Sequence, residues 1–401
     1  MLTLDTPCSR RYASLMTHRE YLPFGEPNFS DQEIAAVTRV LRSRWVGMGP
    51  ETFAFERDLA EYVGAPHVVT VNSCTSALFL SLLVSGIGPG DEVICPSLTW
   101  CSTANAALYL GAHPVFCDVD ADTLCLATEH VLAKVTPKTK AVMVVHFGGL
   151  AVDVEALRTA LPGGVVVVED AAHAFGARFA DGRWVGSSGN LTCFSFYANK
   201  NLSTAEGGAI ALFDASLADR LRSLRQHGLR LDAWQRFTHS QPSLLPDPLD
   251  TLGYKMNYTD LQACIGRVQL ARQPELDGIR LAIARRYVDG LKGISPPLEF
   301  QRDCTHSYHA RHLFVVQLPL NRMRLSRDDV LLALRAINIG ASIHYAPLHL
   351  MPLYCGGGQP VSLPTTEQVA ARMLTLPISA SMTLNDAEDV LREFTATLKG
   401  P

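Results

Sequence analysis

Nowhere in this sequence do lysines and arginines run densely together, and the formal net charge is −4 with an isoelectric point near 6.3. A chain so balanced exerts no long-range pull on a phosphate backbone or an anionic membrane, so neither nucleic acid nor membrane is an expected partner. No stretch of about 18 uncharged apolar residues occurs, so no membrane-spanning helix is expected. The opening MLTLDTPCSRRYASLMTHRE lacks the continuous apolar stretch of a signal peptide, and a cytoplasmic location is expected. There is no CxxC pair, and no metal is expected. No GxGxxG follows the early strand-like runs, which sets aside a nicotinamide dinucleotide site.

The 401 residues, 47% hydrophobic and 18% charged, suffice for one large domain and a smaller one. Ten cysteines are present, but Cys74, Cys95, Cys101, Cys117, Cys125 and Cys193 sit in apolar surroundings without a paired framework and are expected to be reduced core residues. Between about residues 66 and 213, β-branched runs alternate with helical patterns: HVVTV, EVICP, PVFCDVD, AVMVVHF, GVVVVED and GAIALFD. That rhythm predicts a mainly parallel sheet covered by helices on both faces. Ahead of it, Ser30 and Glu33 have capping-box spacing, and Ile34, Val37, Val40 and Leu41 form an apolar helical stripe. A helix around 215–227 precedes residues 229–250, whose three prolines predict an extended surface loop. A long helical pattern starts after Thr259, and the strand-like HLFVVQL and helical DDVLLALRAI beyond it predict a smaller α+β domain. The expected division is 1–259 and 260–401.

Four segments carry chemistry. In FSFYANKNLSTAEGGAIAL one lysine, Lys200, lies in a mostly uncharged stretch. It is either a loop lysine facing solvent or a buried amine whose lowered pKa makes it a nucleophile toward a carbonyl cofactor. In GVVVVEDAAHAFGA an apolar strand ends on Glu169 and Asp170, with His173 three residues beyond the aspartate. A carboxylate there can keep a pyridinium nitrogen protonated, or can simply cap a following helix. Asn72-Ser73-Cys74-Thr75 joins a strand to a helix of small and apolar residues, a place where backbone amides bind phosphate and where ordinary N-cap chemistry also suffices. Trp100 follows another apolar strand and either stacks on a flat ring or belongs to the core.

Together with WVGMGPETFAFE, DEVICPSLTWCSTANA, GAHPVFCDVD, NYTDLQACIGRVQL and IHYAPLHLMPLY, in this order, these segments resemble the nucleotide-sugar aminotransferases of the DegT/DnrJ/StrS type. These are a branch of the fold-type I enzymes dependent on pyridoxal phosphate (PLP). The resemblance covers nearly the whole chain. It implies a large domain with a mainly parallel seven-stranded-type sheet between helices, plus a smaller C-terminal α+β domain. It also implies that Lys200 forms a Schiff base with PLP and then serves as the proton-transfer base, and that Asp170 pairs with the pyridine nitrogen. By the same likeness His173 lies near the phenolic oxygen, Trp100 stacks on the ring, and Cys74, Thr75 and Ser195 contact the phosphate. Asn257 is implied to reach the neighbouring subunit's phosphate, hence a homodimer with shared sites. The implied reaction is a ping-pong transfer, by family habit from glutamate, to a keto sugar linked to a nucleotide. Tyr197, His344, Tyr345 and His349 are candidate substrate contacts, each as easily a packing or dimer residue. A dehydratase branch carries histidine at the lysine position, so Lys200 favours transamination. A keto-cyclitol aminotransferase and a non-catalytic PLP-binding relative with a regulatory role stand as alternatives.

Overall fold

Each apolar run bounded by turn residues becomes a strand because burial on both faces removes its β-branched side chains from water, at roughly 1.5–3 kcal/mol per fully buried large aliphatic residue. The computed structural model describes residues 20–230, 234, 238, 249–303, 308–355 and 360–399. Strands β1 (His67–Val71), β2 (Glu92–Pro96), β3 (His113–Cys117), β4 (Thr139–Val145), β5 (Val166–Asp170), β6 (Leu191–Ser195) and β7 (Gly208–Leu212) form one sheet in the order β1-β7-β6-β5-β4-β2-β3. Neighbours from β6 to β3 are parallel, while β7 runs antiparallel to both β1 and β6. The expected mainly parallel sheet is thus present. Strand β6 was not expected from the sequence, because LTCFS contains no valine or isoleucine, whereas the other strands of the sheet do.

The helices cover both faces. Helix α1 (Asp31–Ser43) begins with the expected capping box of Ser30 and Glu33. Its stripe is narrower than expected: Val40 is buried, whereas Ile34 and Leu41 are exposed. They lie two turns apart on one line of the helix, away from the contact with Cys264 that buries Ala36 and Val40. Helix α2 (Pro50–Val63) starts on proline and stops at Gly64 in the left-handed conformation. Helix α3 (Cys74–Val84) is apolar nearly all round and is buried against β6 and β7. Helices α4 (Cys101–Leu108), α5 (Val154–Ala160) and α6 (Ala215–Leu224) complete this layer.

Helix α7 (Asp260–Leu291) opens on a capping box of Thr259 and Gln262 and runs 32 residues through Pro274. Its first half supplies Ala263 and Leu270 to the core of the large sheet. Its second half packs Ile283, Ala284, Tyr287 and Leu291 into another core with Leu22, Phe314 and Phe394. That core holds β8 (Glu299–Phe300), β9 (Phe314–Gln317) and β10 (Met373–Leu376) in the antiparallel order β10-β9-β8. It also holds helices α8 (Arg327–Ala336) and α10 (Leu384–Lys399), while α9 (Pro364–Arg372) leads into β10. Most of the expected loop 229–250 lies outside the described residues. Cys74, Cys95, Cys117, Cys125 and Cys193 are buried free thiols, and Cys101 is a partly exposed one. Among the described residues no helix is long and apolar enough to cross a membrane, and no cluster of His, Cys, Asp and Glu is arranged to hold a metal.

Candidate active site

The C-terminal ends of parallel strands leave a crevice where the chain turns back into helices, and ligands of open α/β sheets collect there. Here Asp170 ends β5, Ser195 ends β6, Trp100 follows β2, and α3 begins just after β1. Between them lies a cavity of about 530 Å³, lined by Cys74, Thr75, Trp100, Asp170, His173, Ser195, Tyr197, Lys200, His344 and Tyr345 among others. Ten of the twelve residues singled out in the sequence therefore meet in one place. Asn257 does not line this cavity; its Nδ2 donates to the carbonyl of Tyr258 at 3.0 Å. His349 also lies elsewhere, buried, with Nδ1 2.7 Å from Ser97 Oγ and Nε2 3.3 Å from Glu367.

Lys200 is not a solvent-facing loop lysine. It is partly buried, and its Nζ points inward to within 3.3 Å of His312 Nε2. Burial, only partly offset by Cys74 and Asp170, lowers its pKa to about 8. Asp170 is buried and caps no helix, since a turn follows β5. Thr103 Oγ1 donates to one carboxylate oxygen at 2.7 Å and the amide of Ala172 to the other at 3.2 Å. Burial pushes the Asp170 pKa up against these bonds. The carboxylate is thus fixed in direction and open to a further cationic donor, such as a ring N–H, from the cavity.

The preceding residue, Glu169, faces the other way. His146 Nδ1 accepts from the amide of Val152, leaving Nε2–H to donate to Glu169 at 2.9 Å. Ser188 and Asn190 donate to its other oxygen. Burial raises the Glu169 pKa, but these bonds outweigh it and hold the group below its ordinary value. Alternation along β5 therefore gives one carboxylate to the cavity and one to the scaffold behind it.

Trp100 is 60% exposed at the cavity wall, so the core reading of this indole fails. At another wall Ser73 caps α3, its Oγ accepting from the amide of Ser76 at 3.1 Å. The start of α3 reaches β7 only because position 208 is glycine: a Cβ there would lie 2.6 Å from Cys74 N and 2.7 Å from Ser73 C. This brings the positive end of the helix dipole and its first amides to the cavity beside Ser195, a cradle suited to phosphate. Buried amine, buried carboxylate, helix N-terminus and exposed indole around one cavity fit the aldehyde, pyridine nitrogen, phosphate and ring face of PLP.

Sequence reasoning missed several residues here. Thr103 orients Asp170, Phe24 lines the cavity with its ring 4.9 Å from His344, and Asn199 lines it next to Lys200. His312 contacts Lys200 directly. His173 Nδ1 accepts from the amide of Gly148 at 3.3 Å, so its Nε2–H faces Tyr345 Oη at 3.0 Å. Burial, then the neighbouring Lys200, keeps the pKa of His173 well below the ordinary histidine value, so the ring is neutral.

Comparison with known proteins agrees with this geometry. The model of the DegT/DnrJ/EryC1/StrS aminotransferase family matches residues 27–395. The spore coat polysaccharide biosynthesis protein SpsC of Bacillus subtilis is 42% identical over 384 residues, covering 95% of this chain and 98% of SpsC. The crystal structure of S. venezuelae DesV, solved in complex with a ketimine intermediate, is 34% identical with a TM-score of 0.84, covering 95% of this chain and 100% of DesV. Spr1654 of Streptococcus pneumoniae, assigned as a sugar aminotransferase and solved in its PLP-form, is 29% identical with a TM-score of 0.85 over 94% of this chain and 99% of its own. A family match across most of the chain, joined to a cavity built for PLP, makes this protein a PLP-dependent aminotransferase that belongs to the DegT/DnrJ/EryC1/StrS aminotransferase family.

Proposed function

We propose that the protein moves an amino group from glutamate to the keto group of a nucleotide-linked deoxy sugar, in two half-reactions at one site. Lys200 is the attachment point of the cofactor. The observation that carries the reading is the meeting of Lys200, Asp170, Trp100 and the α3 N-terminus around a single cavity. The sugar is supported by the relatives: SpsC serves polysaccharide biosynthesis, and Spr1654 is assigned as a sugar aminotransferase.

When bound, PLP supplies the electron sink that lets a proton leave the carbon bearing the amino group. The chain supplies the rest. Ser73, Cys74, Thr75 and Ser195 hold the phosphate end, and Trp100 covers one ring face. Asp170, oriented by Thr103 and Ala172, would keep the ring nitrogen protonated, while His173, with its proton on Nε2, would donate beside the phenolic oxygen. Lys200, freed when the donor's amine takes its place, carries the proton on Nζ from one carbon to the other; a pKa near 8 suits both directions near neutral pH. Tyr197, His344 and Tyr345, at the same cavity, contact the sugar. Asn257, outside the cavity of its own chain, completes the phosphate site of a second copy in a cytoplasmic homodimer.

The reading is tested by following the absorption of the PLP-loaded protein during addition of glutamate and then of UDP-, dTDP- and GDP-linked 3-keto and 4-keto sugars. Glutamate converts the PLP band to that of the aminated cofactor, and one sugar reverses it. A band indifferent to glutamate and to every sugar contradicts the proposal.

A further inference from the structure

The chemistry described so far leaves His312 unused. It sits on the segment leading into β9, fully enclosed, with its ring centroid 4.5 Å from that of His173. Its Nδ1 lies 3.2 Å from Asn201 Oδ1. Asn201 Nδ2 donates to the carbonyl of Ala310 at 2.7 Å, which fixes the amide so that Oδ1, an acceptor, faces the ring. The proton of neutral His312 is therefore on Nδ1, and the lone pair of Nε2 is directed at Lys200 Nζ, 3.3 Å away. Asn201 follows Lys200 directly in the chain, so one short turn both carries the lysine and orients the imidazole that receives it.

We infer that His312 is a positioning residue for Lys200: its Nε2 accepts a hydrogen bond from the free amine and holds Nζ in place while the cofactor carries the amino group. This rests on Lys200 being the attachment residue. A four-carbon side chain released from its covalent bond has many rotamers, and the proton it moves must pass between two fixed carbons. An acceptor anchored on the segment before β9 restricts the free amine to fewer of those rotamers. The acceptor must itself remain uncharged. Burial first, then Lys200, His173, Arg280 and His344, keep the His312 pKa well below its ordinary value. The charged and titratable groups that bear on Lys200 are Cys74 at the start of α3, Asp170 at the end of β5 and Arg280 on α7, with the rings of His173 and His344 also coupled to it. None of these supplies the hydrogen bond that His312 does.

An acceptor stabilises the ammonium form, so losing it drives the amine further toward neutral. The test uses the full-length protein loaded with pyridoxamine phosphate, in which the cofactor is present and Lys200 is free. Competitive acetylation with acetic anhydride across pH, read on the Lys200 peptide by mass spectrometry, gives the midpoint of the amine. In His312→Phe the midpoint falls by about one pH unit below wild type, a tenfold change in the proton equilibrium typical of a hydrogen bond to a charged group. In His312→Gln, which keeps an acceptor oxygen, it stays close to wild type. Turnover falls in the phenylalanine variant with little change in KM and recovers in the glutamine variant. Equal midpoints in all three proteins, or a raised midpoint in His312→Phe, overturn the inference. If the phenylalanine variant does not fold, a glutamine variant that titrates well below wild type overturns it as well. A Lys200→Ala protein that keeps the PLP absorption band contradicts the attachment role of Lys200 instead, so the two failures are distinguishable.

Discussion

Replacing Gly208 with alanine tests how the phosphate cradle is built. The added Cβ would meet Cys74 N at 2.6 Å, Ser73 C at 2.7 Å and Phe194 O at 2.8 Å, all backbone atoms that cannot rotate away. Ordinary contact begins near 3.4 Å, so the start of α3 must retreat from β7 by most of an ångström or the strand must bend. Overpacking of this kind costs about 1–3 kcal/mol. The retreat also moves the first amides of α3, with Cys74 and Thr75, away from the phosphate. If that strain falls wholly on the bound state, PLP affinity drops by about fivefold to somewhat over a hundredfold. Gly278 is the internal control: it is an exposed position inside α7 with nothing within 4 Å of an added Cβ. Alanine there stabilises the helix by about 0.5–1 kcal/mol and leaves PLP binding unchanged. Thermal unfolding of the unloaded protein and titration with PLP separate the two effects. A Gly208→Ala protein that melts and binds PLP as wild type does would refute the account of the cradle.

Three further outcomes are expected. Asp170→Asn keeps the shape of the side chain but removes its charge; turnover with glutamate falls about a hundredfold, the loss of a buried charge-assisted bond of some 3 kcal/mol, and near-normal turnover counts against the ring-nitrogen role. Because the Lys200 pKa is lowered to about 8, the rate at which the unloaded protein captures PLP rises with pH, is half-maximal near 8 and levels off about a unit above it. A stopped-flow profile still climbing at about pH 10, where an ordinary lysine titrates, contradicts the burial of the amine. Finally, Lys200→Ala and Asn257→Ala chains are each inactive alone. Mixed and reassorted at random, they regain about a quarter of wild-type activity, since half the dimers are mixed and each has one intact site. Zero recovery argues against a site shared between subunits.

The strands of the large sheet that were legible in the sequence are those that carry valine or isoleucine; β6, LTCFS, was illegible because it is wholly buried yet carries neither. Lys200 and Asp170 could be located because each ends an apolar segment with a charge, a pattern local to a few residues. Trp100 and the α3 start were legible as turns from strand to helix. His312 was not, because it lies more than a hundred residues from Lys200 along the chain, and only folding of the segment before β9 onto the large sheet brings it within 3.3 Å. His349 illustrates the converse: it shares a motif with His344 and Tyr345, but the short helical turn at Leu348–Leu350 sends its ring to Ser97 rather than into the cavity. Ile34 and Leu41 were expected in a buried stripe, whereas the partner surface on α7 is narrower than the stripe itself.

The central claim is that the cofactor is carried on Lys200, and it is tested most directly by the absorption spectrum of the purified protein with added PLP, compared with that of Lys200→Ala. Wild type should show a protein-bound band near the visible edge that borohydride fixes onto the peptide containing Lys200, and the alanine variant should show neither the band nor turnover. A Lys200→Ala protein that retains both the band and turnover would contradict the account at its foundation.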